Sequence, residues 1–148
     1  MPTYACSFTA GCLTPAQRQQ IARSITAIHA EETGAPAYLV QVIFQEVQLH
    51  SHYIGGEAAP VGRLWIRGDI RAGRTEAVKR RMIERILHDT CETADFPAEQ
   101  VWIYICDVPA HGIAEYGRIL PEPGAEAAWE ATLPEPLRRR LLVPGQRS

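Results

Sequence analysis

Two hydrophobic rhythms follow one another along this chain, and their order predicts its elements. Thr3 to Thr9 is a short extended run that leads into Thr14-Pro15-Ala16-Gln17, a capping box with proline at the first helical position. Ala22, Ile25 and Ile28 then recur at helical spacing, and Gly34 with Pro36 ends that helix. Val40, Val42 and Phe44 alternate with Gln41 and Gln45, the period of a strand with one face covered. The same order returns further on. Leu64 to Ile70 reads as a strand, and Thr75 caps a helix carrying Val78, Met82 and Ile86. Pro97 closes that region, and Val101 to Val108 is the returning strand.

The two passages align without a gap from Thr14 to Val47 against Thr75 to Val108. Eight positions are identical, among them Thr14/Thr75, Ile25/Ile86, Pro36/Pro97 and Val47/Val108. Matched apolar positions and matched breakers mark a duplicated βαβ unit. Under this alignment Pro2 corresponds to Arg63. Two fused βαβ units predict an α/β (α+β) fold, with one four-stranded sheet and both helices on one face. The other sheet face is expected to be apolar and exposed in a single chain, and so to serve as an oligomer interface. The whole chain, 1–148, reads as one domain: a first unit over 1–62, a second over 63–108, and a hairpin and C-terminal tail over 109–148. The tail is rich in turns, with a short helix expected around Glu126 to Thr132. A C-terminal helix should carry Arg138-Arg139-Arg140, with a frayed end from Gln146.

Composition narrows the function classes. A net charge of −2 gives no general affinity for nucleic acid or an anionic membrane. Eight of the fifteen basic residues fall between Arg63 and Arg85, a run whose plain reading is a solvated helix face. No signal peptide or membrane span is visible, which makes the cytoplasm the expected location. Cys6, Cys12, Cys91 and Cys106 stand singly and read as small buried hydrophobes. His50 and His52 lack a third ligand at useful spacing, so no metal is expected.

Candidate chemistry begins with Pro2. Methionine is usually removed before a small residue, which would leave Pro2 with a secondary amine able to act as acid or base. An α-amino group titrates near about 8 and shifts with burial and charge. Arg71-Ala72-Gly73-Arg74-Thr75 lies where the second strand turns into its helix. Two guanidinium groups at a helix N-terminus suit a bound carboxylate. The plain alternative is a pair of solvent-facing arginines, or pairing with Asp69 or Glu76. His29 lies on the inward stripe of the first helix near its C-terminus. It is either a core histidine or a binding group that gains cationic character from the helix end and a bound carboxylate. Tyr104 alternates along its strand with Trp102 and Cys106 and could simply pack there. Glu115, in Glu115-Tyr116-Gly117-Arg118, could be a surface carboxylate paired with Arg118.

Together, the N-terminal proline, the two βαβ units, R-x-G-R-T, V-W-x-Y and E-Y-G-R resemble the tautomerase superfamily. The match is to its cis-3-chloroacrylic acid dehalogenase subgroup. Leu39-Val40-Gln41-Val42 with Phe44, and the stretch from Glu115 to Gly124, add to it, and the resemblance covers nearly the whole chain. It implies that Pro2 protonates the substrate carbon, that Arg71 and Arg74 hold the substrate carboxylate, and that His29 assists. Glu115 would activate water with help from Tyr104. The implied substrate is a small unsaturated carboxylate such as cis-3-haloacrylate, converted to malonate semialdehyde without a cofactor, and the implied assembly is a homotrimer. Two arginines push the amine toward neutrality and Glu115 toward the cation. Other readings stay open: an acetylenic-acid hydratase or decarboxylase; a keto–enol tautomerase with neutral Pro2 as base; or an oligomeric binding protein with a vestigial site.

Overall fold

The computed structural model describes residues 2–142. Strand β1 (Thr3–Thr9) leads to helix α1 (Pro15–Thr33) and returns as β2 (Gln41–Val47); a small hairpin, β3 (Tyr53–Ile54) and β4 (Glu57–Ala58), follows. The second half repeats this with β5 (Leu64–Arg71), α2 (Glu76–Ala94), β6 (Val101–Val108) and a hairpin of β7 (Ala114–Glu115) and β8 (Arg118–Ile119). Helices α3 (Glu126–Ala131) and α4 (Glu135–Leu142) end the described chain. The expected fraying from Gln146 and the expected removal of Met1 lie outside the described residues.

The sheet order is β2-β1-β5-β6, with both βα crossovers joining parallel strands and β1 antiparallel to β5 at the centre. Thr14 caps α1 through the expected reciprocal bonds with Gln17, and Gly34 ends the helix in the left-handed region, its N–H donating to the Ala30 carbonyl. Both helices cover one sheet face. Tyr4, Cys6 and Phe8 from β1 and Leu64, Ile66 and Ile70 from β5 meet Ile21, Ile25, Ile28, Met82 and Ile86 in the core. On α1 the inward stripe starts at Ile21; Ala22 is only half-buried.

The structural repeat reaches beyond the aligned sequence, because the hairpin β3–β4 recurs as β7–β8. The register of the central strands differs from the alignment. Thr3 sits opposite Gln41, whereas Leu64 sits opposite Val101, which the alignment matches to Val40. The counterpart of Pro2 is therefore Leu64, not Arg63. A one-residue slip exchanges the faces of a strand. Here the slip turns Leu64, Ile66 and Ile70 to the helices, and the connection into α2 is one residue shorter in compensation.

The uncovered face is less apolar than expected. Ile43, Trp65, Trp102 and Tyr104 share it with Thr3, Ser7, Gln41, Gln45, Arg67 and Asp69. Of the four cysteines only Cys6 is buried; the other three are half-buried. Among the described residues no helix is long and apolar enough to cross a membrane.

Candidate active site

The N-terminal end of β1 lies beside the C-terminal end of β5, since Thr3 pairs with Asp69. Pro2 is buried at this end, and its carbonyl accepts a bond of 3.0 Å from the Gln41 N–H. Arg71 closes β5, and Arg74 stands one residue before the Thr75 cap of α2. The intervening Gly73 has φ +104, and a Cβ there would lie 3.0 Å from Pro123 Cγ. The turn therefore needs glycine for its backbone and for the loop packed against it. His29 comes from the last turns of α1. Pro2, His29, Arg71 and Arg74 line one cavity, roofed by Leu120, Pro121, Glu126 and Trp129. The cavity volume is about 20 Å³, room for about one water.

The roof is a second apolar cluster, in which Leu39, Leu120, Trp129 and Leu133 are buried together. Tyr38 donates to Glu130 at 2.6 Å, and Trp129 Nε1 donates to the Ile119 carbonyl at 2.9 Å. These contacts fix α3 over the cavity, and α3 brings Glu126 to Arg71. The two arginines then differ. Arg71 is 8% exposed, donates to the Pro121 carbonyl at 2.7 Å, and is paired with Glu126; its Nε has no partner among the described residues. Arg74 has no hydrogen-bond or ion-pair partner among the described residues, and burial followed by the Arg71 charge holds its pKa down. Neither pairs with Asp69 or Glu76; Asp69 is taken by Arg67 at 3.0 Å.

His29 is 2% exposed, and its Nδ1 lies 2.9 Å from the buried Tyr4 hydroxyl. Burial, and then the nearby positive charges led by Arg74, lower its pKa to about 4. The helix end by itself does not give the expected cationic character: this imidazole is neutral near neutral pH.

Glu115 ends β7, next to a turn made by Tyr116 (φ 50) and Gly117 (φ 78), the two positive values of a tight hairpin. Burial raises its pKa, against the opposing pull of Arg71. With Thr3, Gln41 and Asp69 it borders a hollow of about 430 Å³ on the uncovered side. Tyr104 stands apart from this group. It is 49% exposed on the uncovered face, packs edge-on against Trp65 at 5.7 Å, and lines a different hollow of about 380 Å³ with Trp102 and Arg63. Sequence reasoning missed Glu126 and Tyr4. The first was read only as a helix start, and the second only as part of an extended run.

Residues 1–132 match the protein family described as "Putative oxalocrotonate tautomerase enzyme". The chain is 40% identical to N1, a member of the cis-3-chloroacrylic acid dehalogenase family, with a TM-score of 0.90 over 94% of this chain and 97% of that one. It is 37% identical to native Ps01740, with a TM-score of 0.73 over 76% of this chain and 99% of that one. A fused 4-OT solved as an asymmetric trimer shares the fold at 22% identity, with a TM-score of 0.73 over 79% of this chain and 94% of that one. No curated protein matches the chain.

Proposed function

Because the chain belongs to the oxalocrotonate tautomerase family, we propose that it is a cofactor-independent hydratase and dehalogenase of short unsaturated acids, with Pro2 as the general acid. One observation carries this reading: the position that would bear the free amine opens into the same cavity as two guanidinium groups and a neutral imidazole. The likeness to N1, named as a cis-3-chloroacrylic acid dehalogenase family member, supports the substrate class.

In the proposed reaction Met1 has been removed and the Pro2 amine is protonated. The substrate carboxylate takes Arg74 and competes with Glu126 for Arg71, drawing electron density away from C3. Ionised Glu115 removes a proton from water as the oxygen bonds to C3, and the electron pair of the double bond moves toward C2. Pro2 delivers its proton to C2. With 3-chloroacrylate the adduct carries hydroxyl and chlorine on one carbon. It collapses to malonate semialdehyde as chloride and a proton leave. Fixed charge directed at the developing carbanion supplies the largest share of such an effect, and the general acid about 10²- to 10⁴-fold more.

Tyr104 fits this scheme as a residue supplied by a neighbouring copy. Its face carries exposed Trp102 beside Tyr104 itself. Exposed aromatic rings suit a protein surface laid against them, and the related fused 4-OT forms a trimer. The proposed assembly is a homotrimer.

The test is a proton NMR time course with cis-3-chloroacrylate, preceded by an intact-mass measurement for Met1. Malonate semialdehyde should accumulate, and Glu115→Gln should cut kcat by about 10²-fold or more. Retention of Met1, or turnover of phenylpyruvate enol that survives Glu115→Gln with no haloacrylate product, would overturn the reading in favour of a vestigial site or a tautomerase.

A further inference from the structure

We infer that Tyr4 is a positioning residue of this site: its hydroxyl donates to His29 Nδ1 and holds the imidazole in the tautomer whose Nε2–H is left for the cavity.

The argument rests on counting hydrogens. The Tyr4 hydroxyl carries one, and Tyr4 is 0% exposed. His29 Nδ1, at 2.9 Å, is its only hydrogen-bond partner among the described residues. If Nδ1–H donated to the phenol oxygen, the phenol hydrogen would be buried with nowhere to go, an arrangement proteins avoid. If the phenol donates, both groups are satisfied. A neutral imidazole with an acceptor at Nδ1 carries its proton on Nε2.

The sheet is built to keep the phenol there. Tyr4 sits opposite Gly68 in the antiparallel register, and a Cβ at Gly68 would lie 2.6 Å from Tyr4 Cε1. Its ring crosses β5 in space that only glycine leaves open, and meets the His29 ring edge-on at 5.9 Å. The cavity already holds Arg71 and Arg74. A neutral N–H donor grips a carboxylate oxygen there without adding a third cation. The opposite tautomer would turn a lone pair toward that oxygen and repel it.

The bearing on catalysis rests on the hydratase reading, but the tautomer does not. Long-range proton–nitrogen correlation on nitrogen-labelled protein reads it directly, with the His29 signals identified by their loss in His29→Gln. The expected pattern is a pyridine-like Nδ1 and a pyrrole-like Nε2; a protonated Nδ1, or averaged shifts, overturns the inference. Tyr4→Phe keeps the ring over Gly68 and should give averaged shifts, so unchanged shifts would also sink it. If that variant does not fold, the wild-type pattern still decides. Malonate, a non-reacting three-carbon acid, should bind Tyr4→Phe about twofold more weakly, because averaged tautomers leave the Nε2–H form only about half populated. Equal affinity would refute the link to the ligand. Absent haloacrylate turnover counts against the hydratase reading alone and leaves the nitrogen shifts to judge Tyr4.

Discussion

His29 shares its cavity with two guanidinium groups, and burial removes the water that would stabilise an imidazolium. Its pKa of about 4 in the folded chain lies below the ordinary histidine value of about 6.5. As pH falls through this window the unfolded chain takes up a proton that the folded chain refuses. Stability is therefore full above about 6.5 and is lost down to about 4. Between about pH 7 and pH 5 this amounts to about 2 kcal/mol. Urea unfolding of wild type should show that loss over and above the loss in His29→Gln. Parallel curves for the two proteins would mean that His29 is protonated in the fold. Glu115 is shifted the other way and bears on activity instead. Burial raises its pKa, so the proposed water-activating form should vanish as pH falls, at a midpoint above that of an ordinary glutamate. A kcat/KM profile checks this.

Helix α3 is too short to be stable by itself. It holds because Trp129 joins the second apolar cluster and because Glu126 answers Arg71 from the first turn. Burial pushes the Glu126 carboxyl upward, but the bond from Arg71 and the Gly124 N–H hold it below the usual range. The contribution of this pair is present above the unfolded carboxylate pKa of about 4.3 and is lost as pH drops through the lower folded value. Glu126→Gln should therefore destabilise the protein by about 1–3 kcal/mol near neutral pH, since Arg71 loses its charged partner in a mostly buried place. The deficit should shrink in acid, where wild type is itself protonated. Denaturant melts at two pH values check both statements, and a constant deficit would contradict them. Helix α3 thus acts as roof and internal counter-ion together: it leaves little room in the cavity, and the proposed substrate carboxylate would meet Glu126 on Arg71.

At the scale of the molecule, one sheet face is covered by helices and the other is not. The uncovered face is amphipathic. Polar rows near β2 give way to Trp65, Trp102 and Tyr104 near β6, with Arg63 stacked over Trp102 at 5.8 Å. Such a surface suits a specific partner copy better than loose hydrophobic association. If Tyr104 serves a neighbouring cavity, chains carrying Pro2→Ala and chains carrying Tyr104→Phe should complement one another when refolded together. About a quarter of the sites in randomly mixed rings would be intact. Activity should rise above the sum of the two parents. No gain on mixing would place Tyr104 and Pro2 in service of the same chain's site.

Much of this protein is local, and the local part was legible in the residues. The cap at Thr14-Pro15, the left-handed stop at Gly34 and the period of β2 and β6 are set by neighbours in sequence, and the structure has them where the pattern put them. The duplicated unit and the family resemblance also came from the chain alone, because matched breakers and spacings leave their mark without any fold. Three things were decided only in three dimensions. The slip between β1 and β5 depends on which faces can meet the helices, which no alignment of the halves registers. The charge on His29 depends on how completely Tyr4, Arg71 and Arg74 enclose it, and burial outweighs the helix end that the sequence made visible. Tyr104 was grouped with Pro2 by resemblance, yet it faces away from the cavity of its own chain. Spacing along a strand fixes which face a side chain takes, but only packing shows what lies opposite that face.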